Sequence, residues 1–336
     1  MKTNFDHKAK KPFLTESYEC YFPMHYVIDI GNVCNLKCPF CFTGVKSPGI
    51  KRDLMSLDSF RIIFDKIKPY AKHIDLYNWG EPFLNKDVLQ MFSLCSEHKI
   101  HSHIDCTLSS LDLTDEYAED IVRSGISSML ISMDGITQAT YEKYRVGAKL
   151  DRVLRNIDKL MKAKERLNMV TPKIGWSYYI HKYNEHEIEK AQLVAKELGI
   201  NIWFKLLACS EDWKSSLHRN PTNILNIPSW VKEHYPLPHH HEFQELQFHD
   251  NVKKVMSACR QPFQTMTINW DGSVTPCTAV TGKEFLMGNL LNNELQDVWN
   301  NLAFRKSREF LINYGSKQNT CSVCEQQACP LSQKFY

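Results

Sequence analysis

Three cysteines within eight residues, Cys34-Asn35-Leu36-Lys37-Cys38-Pro39-Phe40-Cys41, constrain this chain more than any other stretch. The C-x3-C-x2-C run follows an apolar segment, Tyr26-Val27-Ile28-Asp29-Ile30, that reads as a short buried strand. The thiols therefore sit on the loop at the strand's end. Cubane iron-sulfur clusters are normally held by four cysteines, so three clustered ligands point to a [4Fe-4S] cluster with one iron open to a ligand from solution. A structural zinc, a disulfide, or a cluster completed by a distant fourth cysteine are the alternatives. Zinc usually shows paired C-x2-C units with His or Cys partners, and no second pair is near the triplet.

Downstream the chain alternates between two periodicities. Strand-like apolar runs at 26–30, 73–77, 100–106, 128–133, 173–180 and 200–207 are separated by helical spacing over 57–67, 85–98, 114–123, 138–144, 150–166 and 185–198. Thr114 is placed to cap the third helix, with Asp115 and Glu116 in its first turn and Gly125 past its end. Asn184 is read as the cap of the last helix and carries no assigned chemistry. Six strands joined by helices predict parallel βα units, an α/β fold of the partial (β/α)6 TIM-type barrel. Such barrels keep their chemistry at the C-terminal ends of the strands.

With Phe40 at its aromatic position, the cysteine run resembles the C-x3-C-x-aromatic-C signature of the radical S-adenosylmethionine (SAM) superfamily. The resemblance implies that SAM chelates the open iron and is split reductively into methionine and a 5'-deoxyadenosyl radical. That radical would abstract a hydrogen atom from an unactivated carbon. Gly80-Glu81-Pro82 matches the family's G-G-E-P segment except that Trp79 replaces the first glycine. Gly80 and Glu81 would then bind the SAM amino group. Cys106-Thr107-Leu108-Ser109-Ser110 falls where relatives carry a segment near the SAM ribose, which makes Thr107 and Ser109 hydroxyl contacts; a plain polar loop is the alternative. Ile131-Ser132-Met133-Asp134-Gly135 with Tyr141-Glu142-Lys143-Tyr144-Arg145 resembles the S-x-D-G and Y-E-x-x-R pattern, in which Ser132 and Arg145 hold the SAM carboxylate. Arginine suits that task because its planar fork meets a carboxylate bidentately. Cys209, after the sixth strand, is either a small core residue or a hydrogen-atom donor of the kind used by radical epimerases.

A second cysteine group closes the chain. Cys259, Cys277, Cys321, Cys324 and Cys329 surround a hairpin signal, Asp271-Gly272 between alternating apolar runs. This group, with Gly288-Asn289-Leu290, Trp299 and Arg305, resembles the SPASM or shorter "twitch" extension of radical SAM enzymes. A full SPASM domain carries seven or more cysteines and two auxiliary clusters. The resemblance here implies one auxiliary [4Fe-4S] cluster on Cys259, Cys277, Cys321 and Cys324, with Cys329 spare or a substitute ligand. A zinc held by four cysteines is the alternative. The helix after the hairpin is expected over 294–310.

Composition narrows the setting. Net charge is only +3 over 336 residues, which gives no support to a nucleic-acid or anionic-membrane partner. No apolar run approaches the ~18 residues needed to span a bilayer, and no signal-peptide core is present. A cytosolic location is expected, where the twelve cysteines serve as thiols or cluster ligands. The expected layout is an N-terminal extension at 1–20, the barrel at 21–210, a linker or substrate-covering segment at 211–255 with an exposed run His239-His240-His241, and the auxiliary domain at 256–336. A single auxiliary cluster looks most like radical SAM dehydrogenases of sugars and aminocyclitols, so two-electron oxidation of a small polar carbinol is the leading expectation, the auxiliary cluster accepting the electron. A maturase or epimerase of ribosomal peptides comes second, and a non-catalytic electron-transfer protein third. Either enzyme needs a one-electron donor such as flavodoxin or ferredoxin.

Overall fold

The computed structural model describes residues 19–219, 261–280 and 282–309. Its centre is a sheet of nine strands in the order β6-β5-β4-β3-β2-β1-β7-β8-β9. The strands are β1 His25–Ile28, β2 His73–Asp75, β3 His101–Cys106, β4 Ser128–Ser132, β5 Lys173–Ile180, β6 Asn201–Leu206, β7 Thr265–Ile268, β8 Ser273–Thr275 and β9 Gly288–Asn289. The six strands expected from the sequence pair in parallel, each with its neighbour in order. The sheet is open rather than closed, in keeping with a partial barrel. Its outer face is apolar because alternate residues such as Tyr26, Ile74, Ile104, Met129, Ile131 and Trp176 are buried in one continuous core.

Helices α1 Leu57–Ile67, α2 Val88–Glu97, α3 Asp115–Arg123, α4 Gln138–Tyr144, α5 Leu150–Arg166 and α6 Ile188–Glu197 cover that face. Each buries a stripe at helical spacing, as Phe60, Ile63, Phe64 and Ile67 do on α1. Ser56, Thr114 and Thr137 cap α1, α3 and α4 by accepting from the amide three residues on. The second helix starts later than the pattern predicts. Pro82–Leu84 forms a separate 3-10 turn, and the buried Asn85 donates to the carbonyls of Ile30 and Met55 instead of entering a helix.

The C-terminal hairpin continues the barrel sheet: β7 lies parallel to β1, with His25 opposite Thr265 and Ile28 opposite Ile268. The Asp29 amide extends the ladder by donating to the Ile268 carbonyl at 2.8 Å. The helix expected over 294–310 is interrupted. It runs over Leu295–Trp299, breaks at Asn300 and Asn301, and resumes at 302 because the Asn301 side chain accepts from the Phe304 amide and caps a new turn. No helix among the described residues is long and apolar enough to cross a membrane.

Candidate active site

Parallel pairing brings the ends of β1 to β6 to one edge, and the cysteine loop leaves β1 there. Its course is set by close backbone approach. A side chain on residue 44 would put its first carbon 2.4 Å from the Cys38 carbonyl oxygen and 2.6 Å from the Cys38 nitrogen, so only Gly44 lets the chain fold back over Cys38. The Leu36 amide donates to Cys34 Sγ at 3.4 Å, and the Cys41 amide to the Cys38 carbonyl. The Lys37 amide donates to the Val146 carbonyl, which ties the loop to the segment after α4. Burial pushes the Cys34 thiol up to about 12, with the Glu81 charge adding to it, and raises Cys38 despite Arg145. Iron must therefore displace protons as it loads.

Glu81 follows Gly80, another position with no room: a side chain there would meet the Gly31 carbonyl oxygen at 1.7 Å. Glu81 is 2% exposed, and its Oε2 accepts from the Thr107 amide at 2.8 Å and the Thr107 hydroxyl at 2.7 Å. Its Oε1 has no hydrogen-bond partner among the described residues. A buried carboxylate oxygen left without a donor is costly, and an ammonium group fits it. This atom is the test of whether the residues suit SAM: three convergent thiols, an unsatisfied carboxylate oxygen and an arginine fork match a cluster, an amine and a carboxylate. Thr107, expected beside a ribose, donates its amide and hydroxyl to Glu81. Ser109 is buried, its hydroxyl accepting from the Lys149 amide and its carbonyl from Arg152. The loop carrying both is held by Asn156 on α5, which donates to the carbonyls of Leu108 and Leu111 and accepts from the Leu113 amide.

Arg145 ends α4 with its Nε donating to Asp134 Oδ2 at 2.5 Å, in a pair whose side chains are 12% and 0% exposed. Its Nη1 lies 4.0 Å from Cys38 Sγ. Asp134, missed as a site residue by the motif reading, thus takes one side of the fork and leaves the Nη end beside the cysteine loop. Its other oxygen accepts from the Tyr179 amide at 2.6 Å. Ser132, two residues earlier, is buried opposite Ser177.

Asn184 does not cap a helix by its side chain. It donates to the Asp134 and Tyr179 carbonyls and accepts from the His181 amide. Glu187 accepts from the Ile136 amide and the Thr140 hydroxyl. Together they brace the loop that presents Asp134. Phe40 is covered by Trp213, edge-on at 5.3 Å, and by Tyr144 at 6.3 Å.

Cys209 lies three residues beyond β6, half-buried, with its thiol raised by burial to about 11. Cys277 is buried beside Val280 and Phe285 beyond β8. Cys259, Cys321, Cys324 and Cys329 lie outside the described residues, as do 1–18 and 220–260, which include most of the expected covering segment and His239, His240 and His241.

Asp29, between β1 and the cysteine loop, faces the amides of Trp79, Gly31, Gly80 and Asn78, yet burial still lifts its carboxyl to about 7. Because the folded-state value is raised, its contribution to stability is complete below pH ~4 and is lost as pH rises through about 7. Stability is expected to fall across that window by at most about 1.4 kcal/mol per pH unit. Asp29→Asn should flatten the profile, checked by anaerobic denaturation at pH 5, 6.5 and 8. An unchanged slope in the variant would assign the pH dependence to other groups.

An open parallel barrel sheet with three cysteines, an unsatisfied glutamate and an arginine at one edge defines an iron-sulfur site built to take an amino acid–bearing ligand. Family models agree: the "Radical SAM superfamily" model matches residues 28–192 and the "Iron-sulfur cluster-binding domain" model residues 259–330. The chain belongs to the radical SAM superfamily and carries a C-terminal SPASM-type domain, with a [4Fe-4S] cluster that binds SAM and an auxiliary iron-sulfur cluster. It is 23% identical to the GTP 3',8-cyclase of Desulforamulus reducens over 53% of this chain and 53% of that protein, so it spans about half the length of that relative. It is also 23% identical to the tungsten-containing aldehyde ferredoxin oxidoreductase cofactor-modifying protein of Pyrococcus furiosus, over 90% of this chain and 87% of that one. Among solved structures it resembles BtrN in complex with AdoMet and 2-DOIA (TM-score 0.55, 16% identity, covering 90% and 92% of the two chains). It resembles Streptococcus suis SuiB bound to S-adenosylmethionine with TM-score 0.68 at 18% identity, covering 94% and 72%. At these identities the structural likeness defines the fold.

Proposed function

We propose that this chain is a cytosolic radical SAM oxidoreductase that removes two electrons from a small polar carbinol, a sugar or aminocyclitol, with flavodoxin or ferredoxin as electron donor. The observation that carries this reading is the meeting of Cys38, Arg145, Asp134 and Glu81 at one end of a sheet whose inner face is polar. When bound, the first cluster with SAM would supply the chemistry for hydrogen-atom abstraction from the carbinol carbon, and the auxiliary cluster would supply an acceptor for the remaining electron. Cys34, Cys38 and Cys41 would hold the first cluster, Cys259, Cys277, Cys321 and Cys324 the second, with Cys329 as a spare.

What the chain's side chains add is orientation and a place for the hydroxyl proton. Gly80 admits the backbone turn that aims Glu81 at the SAM amine, Thr107 fixes the carboxylate, and the Nη end of Arg145 with Ser132 faces the SAM carboxylate. Asp105, near the end of β3, is half-buried, which raises its carboxyl, but its hydrogen bond to His103 and the charge of Lys205 hold it below the usual range. His103 Nε2 lies 2.9 Å from Asp105 Oδ1 and His103 Nδ1 2.8 Å from Ser128 Oγ, which lies 3.0 Å from Nε2 of the exposed His101. That chain gives the proton a route to solvent, so the carbinol becomes a carbonyl as hydrogen atom, proton and electron leave separately.

A second reading has its own observation. SuiB bound to precursor peptide SuiA aligns with TM-score 0.66 over 94% of this chain, which favours a peptide maturase or epimerase. The test is anaerobic turnover of reduced protein with SAM and carbon-deuterated carbinols. The expected result is deuterium in 5'-deoxyadenosine and one carbonyl formed per SAM consumed. No 5'-deoxyadenosine with any partner would overturn the enzyme reading; deuterium transfer without a carbonyl would replace oxidation by a redox-neutral reaction and bring Cys209 forward as hydrogen donor.

A further inference from the structure

At the other end of the barrel, β1, β2 and β3 begin with histidines aligned across the strands, His25 opposite His73 and His73 opposite His101. Asp75 lies two residues beyond His73 and therefore faces the same side. His25 Nε2 is 2.9 Å from Asp75 Oδ2, and His73 Nε2 is 2.9 Å from Asp75 Oδ1. One ligand atom from each of the three residues falls within 4.8 Å of the others.

We propose that His25, His73 and Asp75 form a zinc site at the N-terminal end of the barrel, distinct from both cysteine groups.

The donor set argues for this first. Two imidazole nitrogens and one carboxylate oxygen with a position left for water suit a divalent transition ion such as Zn2+, whereas the thiolates at the other end select iron-sulfur. The spacing follows. The two imidazoles meet opposite oxygens of one carboxylate, each at 2.9 Å, and one ligand atom from each of the three residues lies within 4.8 Å of the others. Around a tetrahedral ion with bonds of ~2.0–2.1 Å ligand atoms stand roughly 3.3 Å apart, so the widest gap has to close by about 1.5 Å at most, within reach of side-chain rotation. Metal-bound histidines usually engage the second ring nitrogen, and His25 Nδ1 lies 3.3 Å from the Thr265 hydroxyl on β7. Burial fits as well: Asp75 is 4% exposed, and the His25 and His73 side chains are 15% and 14% exposed, which leaves the carboxylate inside and the imidazoles toward the surface. His101 stacks on His73 with centroids 4.6 Å apart and covers it on one side.

Two hydrogen bonds from neutral imidazoles would also satisfy Asp75, and metal content separates the two arrangements. A zinc here would fasten β1 to β2 and, through Thr265, to β7. Its occupancy is independent of which carbinol or peptide the enzyme acts on.

The test uses the full chain, reconstituted anaerobically with iron and sulfide so that the cysteines are filled, then equilibrated with zinc and freed of excess. One zinc per chain is expected in the wild type, lost in His73→Ala and in the isosteric Asp75→Asn, with iron content unchanged in both. Zinc K-edge absorption on the wild type should show only nitrogen and oxygen neighbours at ~2.0–2.1 Å. No zinc, equal zinc in Asp75→Asn, or sulfur neighbours at ~2.3 Å would each overturn the site. If His73→Ala loses its iron along with its fold, the Asp75→Asn result and the wild-type absorption edge decide the question.

Discussion

Replacing Cys34, Cys38 and Cys41 together with alanine is expected to lower the iron of the anaerobically reconstituted protein from about eight to about four per chain, the count for one cluster lost and one kept. Acid-labile sulfide should fall in parallel, and 5'-deoxyadenosine formation should vanish. The three thiols share one loop, anchored on one side by Lys37 to Val146 and on the other by the close passage of Gly44 over Cys38. Removing them therefore leaves the sheet intact and empties only this site. A fall from about four to none would mean that the second cysteine group holds zinc or nothing, and the electron-acceptor step would lose its basis.

Glu81→Gln is expected to weaken SAM binding by about 10²- to 10³-fold, the scale for losing one side of a buried, hydrogen-bonded charge pair. The amide oxygen can still take the two Thr107 donors. Its NH2, however, would then turn donors toward an incoming ammonium where Oε1 offered a charge. Iron content should stay at about eight, since Glu81 is not a cluster ligand. Equilibrium dialysis with labelled SAM checks the affinity. A loss of less than threefold would place the SAM amine elsewhere.

The cysteine loop, the six strands and Gly80-Glu81 were legible because each is local: a run of eight residues, a period of two, a turn. What stayed hidden depends on residues far apart in the chain. Thr107 supports Glu81 from 26 residues away, and Glu187 clamps the Asp134 loop from 51 residues away at Ile136. Arg145 reads as a SAM ligand by its motif, but its pairing with Asp134 is set by where α4 ends relative to β4. The histidine row could not be seen at all before strand register was known, because His25, His73 and His101 become neighbours only when β1, β2 and β3 pair. The helix over 294–310 was misread for a local reason: Asn301 restarts the chain with a cap that a periodicity count passes over.

The parallel ladder between β1 and β7 joins the two cysteine-bearing segments of the chain. The strand that delivers Cys34 and the strand whose hairpin leads to Cys277 are hydrogen-bonded side by side. Their relative position is thus a matter of ladder register rather than of linker slack. Tunnelling between redox centres falls off exponentially with separation, so if the auxiliary cluster accepts an electron as proposed, a gap fixed in this way would give a fixed rate. A slip of one residue would shift the strands by ~3.3 Å and turn every β7 side chain to the opposite face, so the pairing of His25 with Thr265 sets the spacing of the two cysteine-bearing segments.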